Sequence, residues 1–289
     1  CYRDHRLDNM VQKVKARIDA RRIYAITGIH FQPFNVSNQL HWFVTNRPDL
    51  LRPGCFFLPV PTVFNYFLGG VKKVDSSWAS VTQLMDARTR KWSAEILRKL
   101  DIPARVMPPI VKPGTVVGRL LRPLADSVGI NQAALIAVGS HDTASAFAAA
   151  PVANADEALI ISSGTWSLVG KLVPRPITNE KAMAANISNE GGIGNIRFLK
   201  NCMGTWLAQE LRRVWAIADG REDRVGVPRV VDVVQLRAGA GRVHADVPRR
   251  DALAVHEALE EPGLHGDVLA AGHAAEARAE AAAALLVVV

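Results

Sequence analysis

Asp142 is the residue in this sequence best placed to move a proton. It stands in Ser140-His141-Asp142-Thr143, between the apolar run from Leu135 to Val138 and a stretch of small residues ending near Ala150. An apolar run, a polar turn and a small-residue stretch predict strand, turn and helix in that order. A carboxylate at such a turn projects from the carboxyl edge of the sheet, where α/β proteins bind ligands. There it can accept a hydroxyl proton while the oxygen attacks a phosphorus. The same residues also compose an ordinary helix N-cap, and a lone His141 is more often packed than ligating, so spacing alone leaves both readings open.

Two glycine-bearing turns carry a second kind of chemistry. Ser162-Ser163-Gly164-Thr165 lies between two β-rich runs, which predicts a hairpin with glycine at its tip. Its hydroxyls, and a glycine with no Cβ to obstruct approach, could cradle a phosphate, although a plain turn explains the pattern as well. The string from Asn189 to Asn195, NEGGIGN, is a second Gly-rich loop. It lacks the lysine of a Walker loop and the placement of a Rossmann fingerprint, and alone it decides nothing.

The elements that must position these residues alternate between helix and strand, as in α/β proteins. From Leu7 to Ile18, the apolar Met10, Val11, Val14 and Ile18 fall near helical spacing. Leu40, Phe43 and Val44 predict a second core helix. Trp92, Ile96, Leu97 and Leu100 predict a third, stopped by Pro103. The stretch PPIVKPGTVVGRLL reads as extended chain broken by turns. Met203, Trp206, Leu207, Leu211 and Val214 form a helical stripe, and a domain boundary is expected from Pro151 to Asp156.

Composition bounds the possibilities. The 289 residues, 49% hydrophobic and 21% charged, are those of a globular chain of about two domains. No apolar run approaches the roughly 20 residues of a membrane helix, so no membrane partner is expected. The net charge of +8 comes from scattered arginines, without the basic patch or aromatic interleaving of a nucleic-acid binder. Cys1, Cys55 and Cys202 show neither metal spacing nor a disulfide framework, which fits a reducing cytoplasm. Cys55 and Cys202 are expected as buried apolar fillers. The chain opens at Cys1 with no signal-peptide segment, and residues upstream are expected. Beyond Trp215 there is no further Phe, Trp, Tyr, Lys, Ser, Thr, Asn, Met or Cys. An out-of-frame or low-complexity tail ending in an alanine-heavy helix former is expected over 226–289.

The ordered strings YRDHRLDNM, TGIHFQPFN, SHDTASAFAAAP, SSGTWSLVG, ANISNEGGIGN, LKNCMGTWLAQELRR and VWAIADGRED resemble the FGGY carbohydrate-kinase family over roughly residues 1 to 225. The resemblance implies an actin-like ATPase fold built of ribonuclease-H-like domains. A partial N-terminal, sugar-binding domain would span 1–152, and the start of a C-terminal, ATP-binding domain 153–225. It implies ATP and Mg²⁺ as cofactors and a ketose as substrate. L-rhamnulose, converted to its 1-phosphate, is the first expectation, with xylulose or fuculose as alternatives. Asp142 matches the family's proton acceptor, while His141, Thr143 and Asn201 match ketose contacts. Gly164, Thr165 and Gln209 match nucleotide contacts. The family's N-terminal phosphate loop and late adenosine loop have no match, Ala271-Gly272 being too poor, and Pro61-Thr62 stands where relatives have Pro-Asp. Weak turnover is therefore expected of the chain as it stands, with a non-catalytic remnant as the rival from another class.

Overall fold

Short apolar stripes, each closed by a local stop signal, make the first third of the chain helical. The computed structural model describes residues 5–152, 154, 158–164, 166–204, 211 and 285–288. A 3-10 turn at His5–Leu7 precedes helix α1 (Met10–Arg17), in which Met10 and Val14 are buried. Helix α2 (Ala20–Thr27) is capped by the Asp19 carboxylate, which accepts from the Arg21 and Arg22 amides. It ends at Gly28, whose φ of +66° lies in the left-handed region. Helices α3 (Val36–Asn46) and α4 (Val60–Gly69) follow.

The chain then alternates as the sequence predicts. Strand β1 (Val74–Asp75) leads into helix α5 (Ser76–Val81), helix α6 (Ala94–Lys99), strand β2 (Ile110–Val111) and strand β3 (Val116–Arg119). Helix α7 (Arg122–Val128), strand β4 (Ala134–Ile136) and helix α8 (Asp142–Ala149) complete this part. β1 pairs in parallel with β2, and β3 antiparallel with β4. The main core gathers Val14, Leu40, Ile96, Leu97 and Leu100, the residues whose spacing marked the helices.

A five-stranded sheet holds the rest, in the order β7-β8-β6-β5-β9. Its members are β5 (Leu159–Ser163), β6 (Trp166–Val173), β7 (Ile187–Gly191), β8 (Ile196–Met203) and β9 (Leu285–Val288), with helix α9 (Glu180–Ala184) between β6 and β7. All pairings are antiparallel except β5 with β9. Helix α8 lies on this sheet through Phe147, which packs with Ile160 and Leu199. Among the described residues no helix is long and apolar enough to cross a membrane. The chain divides into two compact units, residues 1–212 with 284–289 and residues 213–283, and the second lies outside the described residues.

Several sequence expectations are corrected. The third predicted helix stops at Lys99 rather than at Pro103, because Asp101 adopts a left-handed φ of 56°. Met203 closes strand β8 instead of opening a helix. NEGGIGN is not one loop, since Asn189 to Gly191 belong to β7 and only the remainder turns. Cys55 and Cys202 are partly exposed rather than buried. At the tail, Leu285 to Val288 form a strand where an alanine-heavy helix was expected, in keeping with the β-branched valines there.

Candidate active site

The Asp142 turn is bolted to the start of α5. Asp75 caps that helix, its carboxylate accepting from the Ser77 amide at 2.9 Å and from the Ser77 hydroxyl. The Ser140 hydroxyl donates to the other oxygen of the same carboxylate. The His141 amide in turn donates to the Ser77 hydroxyl at 3.3 Å. Two consecutive residues ahead of Asp142 are thus fixed to an element 65 and 64 positions away in sequence.

Asp142 itself is the first residue of α8, with His141 at the N-cap position making no side-chain cap. Its carboxylate accepts from the adjacent Thr143 amide at 2.6 Å and from the Thr143 hydroxyl at 3.3 Å. Asp142 is exposed, whereas Thr143 is buried behind it. The carboxylate therefore stays available to an incoming hydroxyl, near the favourable N-terminal end of the helix dipole.

Beneath the turn lies a buried ion pair. Glu190 on β7 and Arg197 on β8 are direct cross-strand partners, 5% and 0% exposed, with Arg197 Nη2 3.2 Å from Glu190 Oε2. The Arg197 Nε–H donates to the Gly191 carbonyl at 3.1 Å. His141 Nδ1 stands 3.7 Å from Glu190 Oε2, too far for a hydrogen bond. Burial pushes the His141 imidazole below its ordinary value, and the Glu190 charge opposes the shift. Burial also lowers the Arg197 guanidinium, against the pull of Glu190, Asp142 and Asp75. On the same face of β7, the Ser188 hydroxyl is bonded to His30 Nδ1, and Gln32 Nε2 lies 2.7 Å from His30 Nε2.

Two clefts flank the Asp142 turn. One, of about 90 Å³, is lined by Pro61, Thr62, Asn65, Lys73, Asp75 and Ser140. The apolar Ile136, Ala137 and Val138 complete its lining. The other, of about 250 Å³, lies against α8 and is lined chiefly by Ala144, Phe147, Leu172, Ile193 and Asn195. The chain passes from the first cleft to the second with Asp142 exposed between Ser140 and Ala144.

Gly164 and Asn201 belong to the sheet. Gly164 tips the β5–β6 hairpin as predicted, its N–H donating to the Trp166 carbonyl at 2.8 Å. That amide is committed to the hairpin, and among the described residues a Cβ on Gly164 would touch the Trp166 carbonyl alone, at 3.8 Å. Asn201, opposite Leu168 on β6, keeps its Oδ1 buried without a hydrogen-bond partner. Four residues along β8, at about 3.3 Å each, separate it from Arg197 and carry it toward the hairpin end. The structure thus gathers His141, Asp142 and Thr143 at one place and sets Asn201 nearer Gly164. Thr165 and Gln209 lie outside the described residues. Among the described residues no group of three or more His, Cys, Asp or Glu could hold a metal ion, so no ligand is assigned to Mg²⁺.

Sequence reasoning missed Glu190, Arg197 and Asp75. The signal for the first two was present as a Glu and an Arg seven residues apart around a Gly-rich turn, the spacing that an antiparallel hairpin converts into a facing pair. Asp75 carried the N-cap pattern of Asp followed by two serines, but nothing local joined it to Ser140.

Comparison with known proteins completes the site's context. Residues 1–149 match the FGGY family of carbohydrate kinases, N-terminal domain. The rhamnulokinase of Oceanobacillus iheyensis is 38% identical over 213 residues, covering 73% of this chain and 45% of that protein. The rhamnulokinase of Pectobacterium carotovorum is 40% identical over 211 residues, covering 73% and 41%. The chain therefore spans less than half the length of these relatives. Among solved structures, a ligand-bound xylulose kinase from Lactobacillus acidophilus superposes with a TM-score of 0.62 at 19% identity, over 73% of this chain and 43% of that one. A glycerol kinase from Plasmodium falciparum with ADP gives 0.61 at 14% identity, over 76% and 44%. The latter two likenesses establish the fold.

Proposed function

Because the chain belongs to the FGGY family of carbohydrate kinases, we propose that the protein transfers the γ-phosphoryl group of ATP to a ketose hydroxyl, with Asp142 as the general base. The observation that carries this assignment is the exposed Asp142 carboxylate, set on a turn that Ser140 and His141 anchor to Asp75 and Ser77. L-rhamnulose is the proposed ketose and L-rhamnulose 1-phosphate the product, supported by relatives of 38% and 40% identity that are rhamnulokinases.

Each residue then has a defined task. The Asp142 carboxylate takes the proton of the attacking hydroxyl as that oxygen approaches phosphorus, typically a contribution of ~10²–10⁴ to rate. His141, Thr143 and Asn201 orient ketose oxygens, and the Thr143 amide and hydroxyl also hold the Asp142 carboxylate. The nucleotide supplies the transferable phosphoryl group, and the hairpin tip at Gly164 gives it close backbone approach. Thr165 and Gln209 are proposed as further nucleotide contacts. Residues 1–152 are assigned to the sugar-binding domain and 153–225 to the start of the ATP-binding domain.

The test measures ADP release and calorimetric binding with L-rhamnulose, L-xylulose and L-fuculose in the presence of MgATP. Turnover with L-rhamnulose that Asp142→Asn lowers by ~10²–10⁴ while leaving ketose affinity nearly unchanged supports the assignment. Turnover confined to another of the ketoses moves the substrate but keeps the reaction. A protein that neither binds any ketose nor releases ADP overturns the kinase proposal.

A further inference from the structure

We propose that Glu190, backed by Arg197, is a positioning residue for His141, fixing the tautomer and rotation of the imidazole beside the Asp142 carboxylate. This rests on the kinase reading for its functional meaning, while its geometry stands apart from it. Glu190 and Arg197 face each other across the β7–β8 ladder, on the strand face that receives α8. Arg197 is held from the other side by its bond to the Gly191 carbonyl. Gly191 is in turn pressed on α5, its N–H donating to the Ser80 hydroxyl at 2.7 Å, and a Cβ there would come 2.7 Å from the Ser76 carbonyl. The Glu190 carboxylate is therefore referenced to the same short helix that anchors Ser140 and the His141 amide.

That shared anchor decides what Glu190 can do. The charged groups acting on His141 are Glu190 from β7, Arg197 from β8, Asp142 from α8 and Asp75 at the start of α5. Of these, Glu190 alone lies within ion-pair distance of the ring. His141 Nδ1 and Glu190 Oε2 are both buried without a hydrogen-bond partner, and they face each other at 3.7 Å. Catalytic contacts of this kind are often long in the unliganded protein and tighten when substrate engages. Once closed, a bond from Nδ1–H to the carboxylate leaves Nε2 as an acceptor for a ketose hydroxyl. Arg197 has a separate role: by neutralising Glu190 it keeps the carboxylate from drawing a second proton onto the ring.

A purely structural ion pair would stabilise the sheet without setting the state of the ring, so the ring itself is the readout. Two charge-free double variants of the 289-residue chain are compared by nitrogen-15 NMR of the histidine rings. Glu190→Gln with Arg197→Met retains an acceptor oxygen opposite Nδ1, whereas Glu190→Leu with Arg197→Met does not. Removing both charges together avoids leaving one buried and unpaired. The expected result is the Nδ1–H tautomer of His141 in the unaltered chain and the Gln variant, and its loss in the Leu variant. L-rhamnulose affinity is expected to fall about tenfold in the Leu variant alone. Identical tautomers in the two folded double variants overturn the proposal. An unaltered chain that binds no ketose overturns the kinase reading instead, and the ring signal still decides the role of Glu190.

Discussion

The Ser140 hydroxyl donates to the buried carboxylate of Asp75 across 65 residues of chain. This single bond joins the residue two before the proposed base to the cap of α5. A hydrogen bond to a charged acceptor contributes about 1.5–3 kcal/mol. Ser140→Ala is expected to lower unfolding free energy by about that amount, read from urea midpoints. It is also expected to lower kcat more than it raises the ketose KM, because the turn it releases carries Asp142. An unchanged kcat would show that the anchor serves stability alone.

The Glu190–Arg197 pair gives two predictions of very different size. Arg197→Ala leaves Glu190 buried and unpaired and is expected to cost about 3–5 kcal/mol. The paired change Glu190→Leu with Arg197→Met removes both charges and is expected to cost little, since apolar replacement of a buried pair is often neutral. Thermal or urea unfolding of the two variants checks the contrast. Equal losses would mean that volume, not charge, dominates at this site.

How much of this was legible in the sequence depends on range. The Asp142 turn was, because an apolar run, a polar turn and a small-residue stretch are consecutive and each acts locally. The β5–β6 hairpin was legible for the same reason. Strand β8 was not: Met203, Trp206 and Leu207 have helical spacing, and they masked the alternation of Arg197, Leu199 and Asn201 that faces α8. The Glu190–Arg197 partnership follows from strand register, and the Asp75–Ser140 bond from the packing of two distant segments. Neither leaves a local pattern. At the tail, alanine content outweighed the short LLVV run in the reading, whereas pairing with β5 favoured the strand.

Acid should destabilise the fold through two histidines. Burial holds His30 and His141 below the ordinary value of 6.5, with Glu190 opposing in both cases. In the window below 6.5 the unfolded chain binds more protons than the folded one, so stability is full above that pH and is lost as pH falls toward the folded values. Each histidine contributes at most about 1.4 kcal/mol per pH unit. Urea midpoints are expected to fall between about pH 7.5 and about pH 5.5, with a shallower decline in His30→Asn. A decline equally steep in that variant would assign the effect to carboxylates instead.

The hairpin tip offers a test that separates the proposed nucleotide contact at Gly164 from a structural glycine. Among the described residues a Cβ on Gly164 would meet the Trp166 carbonyl alone, at 3.8 Å, so Gly164→Ala should leave stability nearly unchanged. A Cβ on Gly204 would sit 2.5 Å from the Gly164 carbonyl and 2.8 Å from the Trp166 carbonyl carbon, backbone atoms that cannot easily give way. Gly204→Ala should therefore destabilise by about 1–3 kcal/mol. If a phosphate approaches over the bare face of Gly164, the added methyl weakens ATP binding about tenfold, or about 1.4 kcal/mol, with ketose affinity retained. Calorimetry of ATP with the two variants reads this directly. Unaltered ATP affinity in a fully folded Gly164→Ala protein would remove the hairpin tip from the nucleotide site and leave its glycine as a turn former only.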